Sequence, residues 1–249
     1  MVTGGSRGIG EGIVRAFVAE GARVIAVSND RESGETLAAA LGPTCAHACA
    51  DVRSEDALAA TFAAVLDEHG RLDCLVNNAG THLAHRPIDA ITAAEFRALL
   101  DLNLLSQFIA CRLALPALRR SRGNIINMAS LVASIGQEHA VDYVATKGAI
   151  VAFTRALAID EARHGVRVNS VSPGNIDTPL WQSFADASGN PDAMRKEGAA
   201  AQWLPRLGTT EEVGRLCVYL AAEATYTTGV DHVISGGAEL GYGKKTTNA

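Results

Sequence analysis

The stretch VTGGSRGIGEGI, residues 2–13, decides the fold class of this chain. It places a glycine-rich turn between the end of an apolar strand and the start of a helix. At Gly4, Gly8 and Gly10 no side chain would hold a pyrophosphate away from the backbone, and the helix N-terminus favours its negative charge. The spacing G-x-x-x-G-x-G differs from the common G-x-G-x-x-G motif, so the turn by itself is weak evidence for a nucleotide site.

The rest of the chain alternates short apolar or β-branched runs with helical patterns. Strands are expected at 23–28, 45–51, 74–80, 124–130, 167–174 and 232–237. Helices are expected at 8–20, 31–41, 54–69, 92–120, 141–163 and 210–223. This order predicts right-handed βαβ units and hence an α/β fold, a single doubly wound Rossmann-type domain over residues 1–249. The parallel sheet should hold about seven strands with helices on both faces, and the glycine turn lies at its first βα junction.

Two segments depart from this alternation. Residues 178–206 contain three prolines and no clean helical or strand period. An irregular insertion of that length in a compact domain favours a substrate lid.

Only Met1 and Val2 precede Thr3, whereas a central strand needs about five residues, so we expect the native chain to begin upstream.

Composition favours a soluble globular protein, with 48% apolar and 20% charged residues. The net charge of −5 argues against nucleic acid or an anionic membrane as the main partner. No charged and apolar leader opens the chain, and no apolar run approaches the roughly 18 residues of a membrane span. A cytoplasmic location is therefore expected.

The five cysteines are odd in number and scattered, which fits reduced thiols better than a disulfide framework. Cys45, His47 and Cys49 alternate within an apolar run. That spacing is more typical of one face of a strand than of a metal site, so no metal is expected.

Tyr143 and Lys147 are four residues apart in the run YVATK, so on a helix they share one face. A phenol has an ordinary pKa of about 10 and is a poor proton donor or acceptor at neutral pH. A neighbouring ammonium favours the phenolate, so we expect Lys147 to lower the pKa of Tyr143. Alone the pattern is weak evidence, because an ordinary helix with a half-buried tyrosine and an exposed lysine would show it too.

Six motifs follow one another along the chain. They are T-G-x-x-x-G-x-G (3–10), N-N-A-G (77–80), Asn103, Ser130, Y-x-x-x-K (143–147) and P-G (173–174). In order and separation they resemble the short-chain dehydrogenase/reductase family, over essentially the whole length. The strings GQEHAVDYVATKGAI (136–150), VRVNSVSPGNIDTPLW (166–181) and SGGAELGYG (235–243) are similar to its branch of type 14 17β-hydroxysteroid dehydrogenases and L-fucose dehydrogenases. The resemblance implies an NAD(P)-dependent oxidoreductase that interconverts a secondary alcohol and a ketone or lactone.

The resemblance also implies a role for each catalytic residue. Tyr143 would pass a proton to or from the substrate oxygen, a step worth about 10² to 10⁴-fold in rate. Lys147 would tune that phenol and hold the nicotinamide ribose, Ser130 would position the substrate oxygen, and Asn103 would complete a proton relay through water. From the residues alone, Ser130 could equally be an ordinary turn serine.

Cofactor contacts implied by the resemblance run along the whole chain. They are Gly4, Ser6, Arg7, Gly8, Ile9, Gly10, Ser28, Asp51, Val52, Asn77, Ala79, Gly80, Tyr143, Lys147, Pro173, Gly174, Ile176 and Thr178. Asp51 and Val52 would meet the adenine. Ile176 and Thr178 would meet the nicotinamide carboxamide and the phosphate. Asp51 could instead be a helix-approach residue, and Asn77 a strand-end cap.

The choice between NAD and NADP stays open in the sequence. An acidic residue ending the second strand would bind the ribose 2′-hydroxyl and repel a 2′-phosphate, but that position looks like Ser28. Ser28 leaves room for a phosphate that Arg7 could pair with, which slightly favours NADP(H), although Arg7 could equally be a solvated helix-start residue. The branch resemblance favours NAD(H), because that branch carries an aspartate there, and Asp30 could have the same effect.

Substrate contacts are expected from residues near the catalytic pair: His82, His139, Asn175 and Trp181, with Tyr242 in the tail. Such side chains favour a sugar or polyol over a hydroxysteroid, because hydroxyl groups need directional partners. His82 and His139 could equally be exposed loop residues.

Two other functions stay open on the same fold. A non-catalytic NAD(P)-binding sensor would have no need of the proton-transfer residues. A 3-oxoacyl-thioester reductase would need a basic surface for an acidic carrier protein. The resemblance further implies a homotetramer in which the helices near 92–120 and 141–164 pack across a two-fold axis, and their apolar faces fit an interface or a core.

Overall fold

The computed structural model describes residues 1–240 and forms a parallel sheet of seven strands in the order β3-β2-β1-β4-β5-β6-β7. The strands are β1 Val2–Thr3, β2 Val24–Ser28, β3 Cys45–Cys49, β4 Cys74–Asn77, β5 Asn124–Met128, β6 Arg167–Pro173 and β7 Asp231–Ile234. Every neighbouring pair is parallel, which confirms the predicted doubly wound sheet. Strand order reverses at β1, so the carboxyl ends of β1 and β4 flank the crevice where such folds bind ligands.

Helices cover both faces of this sheet. They are α1 Gly8–Ala19, α2 Arg31–Leu41, α3 Glu55–His69, α4 Ala93–Leu100, α5 Ser106–Ser121, α6 Val132–Ile135, α7 Val141–Ala162, α8 Pro179–Asp186, α9 Pro191–Ala200 and α10 Thr210–Ala222. One buried cluster includes Leu58, Phe62 and Leu118 from α3 and α5. A second includes Ile13 and Val213 from α1 and α10. The apolar faces of the helices are therefore buried against the sheet.

Local signals begin and end α3 where the sequence predicts. Ser54 Oγ accepts a hydrogen bond from Ala57 N at 3.2 Å, and this satisfies a backbone N–H that lacks a partner within the helix. Gly70 follows the helix with φ +69°, a left-handed conformation that glycine adopts without a Cβ clash.

Helix α4, a π-helical turn at Asp101–Leu105 and α5 form one continuous helix, Ala93–Ser121. No apolar segment near the length of a membrane span is expected from the sequence. By length and composition, however, a window of this helix is long and apolar enough to cross a membrane. Side chains of its α5 part, such as Ile109 and Leu118, are buried in the core. Burial inside the fold therefore accounts for part of the apolar composition, since 44% of that window is buried.

Candidate active site

A cavity of about 770 Å³ opens at the carboxyl edge of the sheet. Most of the residues singled out in the sequence line it: Gly4, Ser6, Arg7, Gly8, Ile9, Gly10, Ser28, Asp51, Val52, Ala79, Gly80, His82, Ser130, Tyr143, Lys147, Pro173, Gly174 and Thr178. Six do not: Asn77, Asn103, His139, Asn175, Ile176 and Trp181. Tyr242 lies outside the described residues.

The glycine loop between β1 and α1 forms a backbone cradle. Gly4 has φ +61°, and a Cβ at Gly10 would overlap the carbonyl oxygen of Gly4. Without these side chains the loop backbone lines the cavity directly, beside the N-terminus of α1. This arrangement fits the pyrophosphate of a dinucleotide, which needs close backbone approach and a positive helix end.

The two asparagines after β4 have different roles. Asn78 lines the cavity, and its Nδ2 donates hydrogen bonds to the carbonyl oxygens of Thr3 and Gly4, both at 3.1 Å. Asn77 does not line the cavity: it is buried in the sheet, and its Nδ2 donates to Asn127 Oδ1 at 2.9 Å. Asn78 therefore holds the glycine loop by hydrogen bonds. The cofactor contact predicted from the sequence was placed one residue earlier, at Asn77.

Ser130, Tyr143 and Lys147 come together behind the carboxyl end of β5. Lys147 Nζ donates a hydrogen bond to the carbonyl oxygen of Met128 at 2.9 Å and lies 5.6 Å from the centre of the Tyr143 ring. Burial lowers the pKa of Lys147 to about 8. The ammonium is therefore held by the last carbonyl of the strand, close to the phenol.

The expected effect of Lys147 on the Tyr143 pKa is not found. Burial raises the pKa of the Tyr143 phenol, and the group that lowers it in part is the hydroxyl of Ser130. The desolvated phenol is disfavoured as an anion, and this effect exceeds the stabilisation from its neighbours. Tyr143 is thus a neutral proton donor at neutral pH in this structure.

Asn103 lies in the π-helical turn, fully buried behind the cavity wall. Its side chain pairs with the backbone of Thr81: Oδ1 accepts from Thr81 N and Nδ2 donates to Thr81 O, both at 2.9 Å. Nδ2 also donates to Thr146 Oγ1 at 3.2 Å, and Thr146 Oγ1 donates to Tyr143 O at 2.8 Å. Asn103 therefore joins the loop after β4 to the first turn of α7.

His82 lies against Tyr143 in the cavity wall. Its ring lies edge-on to Tyr143, with centroids 4.2 Å apart, and edge-on to Phe184 of α8 at 5.5 Å. Both ring nitrogens are buried and make no hydrogen bond of normal geometry within residues 1–240, although Gln137 and the backbone of Leu83 lie close enough to raise the pKa of the ring in part. Burial lowers the pKa of His82, so the imidazole is neutral at pH 7. An unpaired neutral imidazole can both donate a hydrogen bond and accept one.

The side chain of His139, which the sequence predicts as a substrate contact, does not line the cavity. His139 has φ +55°, and its side chain lies outside the cavity, about half exposed. Its carbonyl oxygen accepts from Arg86 N at 2.7 Å, so the residue ties two loops together. His85 lies next to the His82 ring, and its Nε2 atom is 3.2 Å from that of Gln137; both residues are exposed.

Asn175 and Trp181 hold the predicted lid rather than line the cavity. Asn175 Nδ2 donates to the carbonyl oxygen of Gly198 in α9 at 3.1 Å. The indole of Trp181 in α8 occupies the space that a Cβ at Gly198 would fill. Ile176 is also absent from the lining, because it is buried in a β-bridge with Gly208. Residues 178–206 thus contain two helices that pack on each other, and α8 contributes Pro179, Leu180 and Ser183 to the cavity wall.

Charges are balanced at the far end of the cavity. Arg7 Nη1 lies 4.0 Å from the carboxylate of Asp30, and Arg53 Nη2 lies 2.6 Å from that of Asp51. Asp30 also caps α2, accepting from Ser33 N at 3.1 Å and from its hydroxyl at 2.7 Å. Each cation that lines this end therefore has a carboxylate beside it.

Known proteins are similar along the whole chain. A family profile described as "Enoyl-(Acyl carrier protein) reductase" matches residues 4–239. An L-fucose dehydrogenase from Bos taurus is 50% identical over 249 residues, which span 100% of this chain and 92% of the relative. An oxidoreductase, UcpA, from Escherichia coli (strain K12) is 35% identical over 96% of this chain and 94% of its own length.

Two solved structures have nearly the same fold. A ligand-free aldohexose dehydrogenase from Thermoplasma acidophilum superposes with a TM-score of 0.90 at 31% identity, covering 99% of this chain and 96% of its own. A 3-ketoacyl-(acyl-carrier-protein) reductase from Brucella melitensis, in complex with NADH, superposes with a TM-score of 0.90 at 28% identity, covering 96% and 97%. The similarity thus spans the cavity and the helices around it.

Proposed function

The chain belongs to the short-chain dehydrogenase/reductase family, and we propose that it oxidises a secondary alcohol of a free sugar of the L-fucose type, with NAD as the preferred cofactor. It is an oxidoreductase that uses a nicotinamide cofactor. Sugar dehydrogenases occur among its sequence relatives and among its structural neighbours, which supports the substrate class.

The observation that carries the sugar assignment is the unpaired imidazole of His82 beside Tyr143. A buried polar group without a partner favours a ligand that supplies one and disfavours an analogue that lacks it, often by several orders of magnitude. A sugar presents a hydroxyl group on each carbon next to the reacting one. His85 and Gln137 near His82 add further polar groups for the outer hydroxyls.

The chemistry divides between the cofactor and the side chains. A bound nicotinamide supplies the hydride transfer. Tyr143 exchanges a proton with the reacting oxygen of the substrate, and the Ser130 hydroxyl fixes the position of that oxygen. Lys147 keeps a positive charge against the strand end and would hold the nicotinamide ribose. Asn103 fixes the loop that carries His82 relative to the helix that carries Tyr143.

The preference for NAD rests on the charges around the adenosine end. A 2′-phosphate carries close to two negative charges and needs cations that are free to pair with it. Arg7 and Arg53 already lie beside Asp30 and Asp51. A neutral 2′-hydroxyl does not need a free cation, so NAD fits this end better than NADP.

Assembly as a homotetramer is also part of the proposal. Leu105, Phe108 and Val141 on the α5 and α7 side are large apolar residues exposed by about half. The rings of Phe108 and Phe153 pack 6.3 Å apart and extend this surface. Association of two copies there would bury apolar area, a favourable contribution of about 25 cal/mol per Å². A cytoplasmic location remains a prediction, consistent with the thiols being free in the described residues.

The test is turnover, followed by the absorbance of the reduced nicotinamide, with NAD and NADP in parallel. The panel contains L-fucose, other aldoses, 17β-hydroxysteroids and, for the reverse reaction, a 3-oxoacyl thioester. We expect turnover with an aldose and NAD and none in the Tyr143→Phe control. Turnover with only the steroid or the thioester would overturn the sugar assignment. Cofactor binding without any turnover would favour a sensor.

A further inference from the structure

We propose that His47 is a positioning residue that sets the preference for NAD over NADP by holding the hydroxyl of Ser28. The inference rests on the nicotinamide cofactor of the proposed function, and it extends that function to a residue outside the cavity wall. Ser28 ends β2, is buried, and lines the cavity at its adenosine end. His47 lies on the neighbouring strand β3.

Two contacts fix the hydroxyl. Ser28 Oγ lies 3.1 Å from the carbonyl oxygen of Asp30 and 2.9 Å from His47 Nε2. A serine hydroxyl has one proton and two acceptor positions, and a carbonyl oxygen can only accept. The proton of Ser28 goes either to Asp30 O or to His47 Nε2, according to the tautomer of His47, and in both cases it points away from the cavity.

In either arrangement the two contacts hold the hydroxyl and its proton, so Ser28 presents only acceptor positions to the cavity. The carbonyl oxygen of Asp30 also accepts from Gly34 N at 3.1 Å, so His47 is the second partner that keeps the hydroxyl from turning toward a ligand. A ribose 2′-hydroxyl can donate to Ser28 Oγ. A 2′-phosphate near neutral pH carries almost no proton to donate, and it would bring its negative charge against this acceptor and the Asp30 carboxylate.

Helix α2 leaves room for the imidazole. Gly34 lies inside α2, and a Cβ there would overlap the His47 ring atoms. Glycine in a helix interior destabilises the helix relative to alanine, so its presence calls for a local reason. The close packing of the imidazole on the helix backbone supplies that reason. His47 thus has one available position, with Nε2 toward Ser28.

The experiment measures affinity without turnover. Isothermal titration compares ADP-ribose with 2′-phospho-ADP-ribose on the wild type, His47→Leu, His47→Gln and Ser28→Ala. We expect the wild type to prefer ADP-ribose. His47→Leu should reduce that preference about tenfold, the equivalent of one hydrogen bond, because the hydroxyl can then turn its proton toward a 2′-phosphate. His47→Gln, which keeps a hydrogen-bonding group, should recover most of it, and Ser28→Ala should lose it like His47→Leu.

Several outcomes would overturn the proposal. If His47→Leu weakens both ligands equally, the imidazole has only a packing role. If the preference persists in Ser28→Ala, the hydroxyl does not discriminate. If the wild type binds neither fragment, cofactor binding fails and this inference fails with it. If the fragments bind and the preference shifts while no alcohol is oxidised, the substrate assignment fails and the role of His47 stands.

Discussion

The ammonium of Lys147 donates a hydrogen bond to the carbonyl oxygen of Met128 at 2.9 Å, with 5% of the residue exposed. Its pKa falls from 10.5 to about 8 because burial disfavours the charge. Below pH 8 the folded state therefore carries a buried ammonium. The free energy of removing this charge from water destabilises the folded state, and the unfolded chain does not bear it because its lysine is solvated. Between pH 8 and 10.5 the unfolded state binds more protons, so this group makes stability rise with pH.

Replacing this lysine should stabilise the fold at neutral pH and abolish turnover. For Lys147→Met we expect the free energy of unfolding at pH 7 to rise by up to about 3 kcal/mol, less the lost hydrogen bond. The difference from the wild type should shrink by pH 10, where the folded wild type is already neutral. Urea unfolding at both pH values measures it. An equal difference at the two pH values would show that the buried charge is not its source.

Tyr143→Phe should lower turnover by at least about 10²-fold, because the ring stays and the exchangeable proton is lost. Cofactor affinity should stay close to that of the wild type, since the glycine loop and Lys147 are intact. Steady-state rates and a cofactor titration measure the two quantities separately. Retention of more than about a tenth of the activity would contradict the role of Tyr143 as general acid and base.

The two reaction directions should respond to pH differently. Burial raises the pKa of Tyr143, so the phenol is protonated at neutral pH. Alcohol oxidation needs the phenolate, so its kcat/KM should rise with pH up to pH 10. Carbonyl reduction needs the phenol, so its kcat/KM should not rise over the same range. Profiles from pH 6 to 10 in both directions test this, and equal slopes in the two directions would exclude a single group that serves both.

His82→Phe should raise the KM for the sugar about tenfold or more, because the ring packing on Tyr143 is kept while both polar nitrogens are lost. His139→Ala is the matched control. Its side chain lies outside the cavity, so the KM should not change. Initial rates over a range of sugar concentrations measure both. An unchanged KM in His82→Phe, or a large change in His139→Ala, would reverse the assignment.

Gly10→Ala should weaken cofactor binding and destabilise the fold, because the new methyl group would overlap the carbonyl oxygen of Gly4. We expect a loss of about 1 to 3 kcal/mol in the free energy of unfolding, as for other overpacked sites. Gly189→Ala serves as control, since no atom lies within 4 Å of the Cβ it would add. Thermal unfolding with and without NAD measures both effects. Equal behaviour of the two variants would mean that the loop relaxes around the methyl.

Sequence patterns predicted the features that repeat locally. Apolar runs alternating with helical periods indicated the strands and helices, and Ser54 and Gly70 marked the ends of α3. The site around Tyr143 and Lys147 followed from one helical turn and from the resemblance. Each of these depends on residues close in sequence, where spacing and geometry are directly related.

Other side-chain directions depended on distant partners. Asn77 and Asn78 are adjacent, and only the contacts of the finished sheet show which one reaches the glycine loop. Trp181 packs on Gly198 of a second helix, so a residue expected in the cavity turns away from it. The pKa of Tyr143 followed burial, which the spacing to Lys147 does not report. These outcomes are tertiary, and no local period encodes them.

The π-helical turn has a further consequence for how this chain can change. An α-helix advances about 100° per residue, so the additional residue of a π turn rotates everything before it relative to everything after it. Asn103 reaches Thr81 only with that rotation in place. The chain can therefore vary in composition around residues 101–105 more safely than in length. Loss or gain of one residue there would rotate α4 relative to α5 about the helix axis, even if all other residues stayed the same.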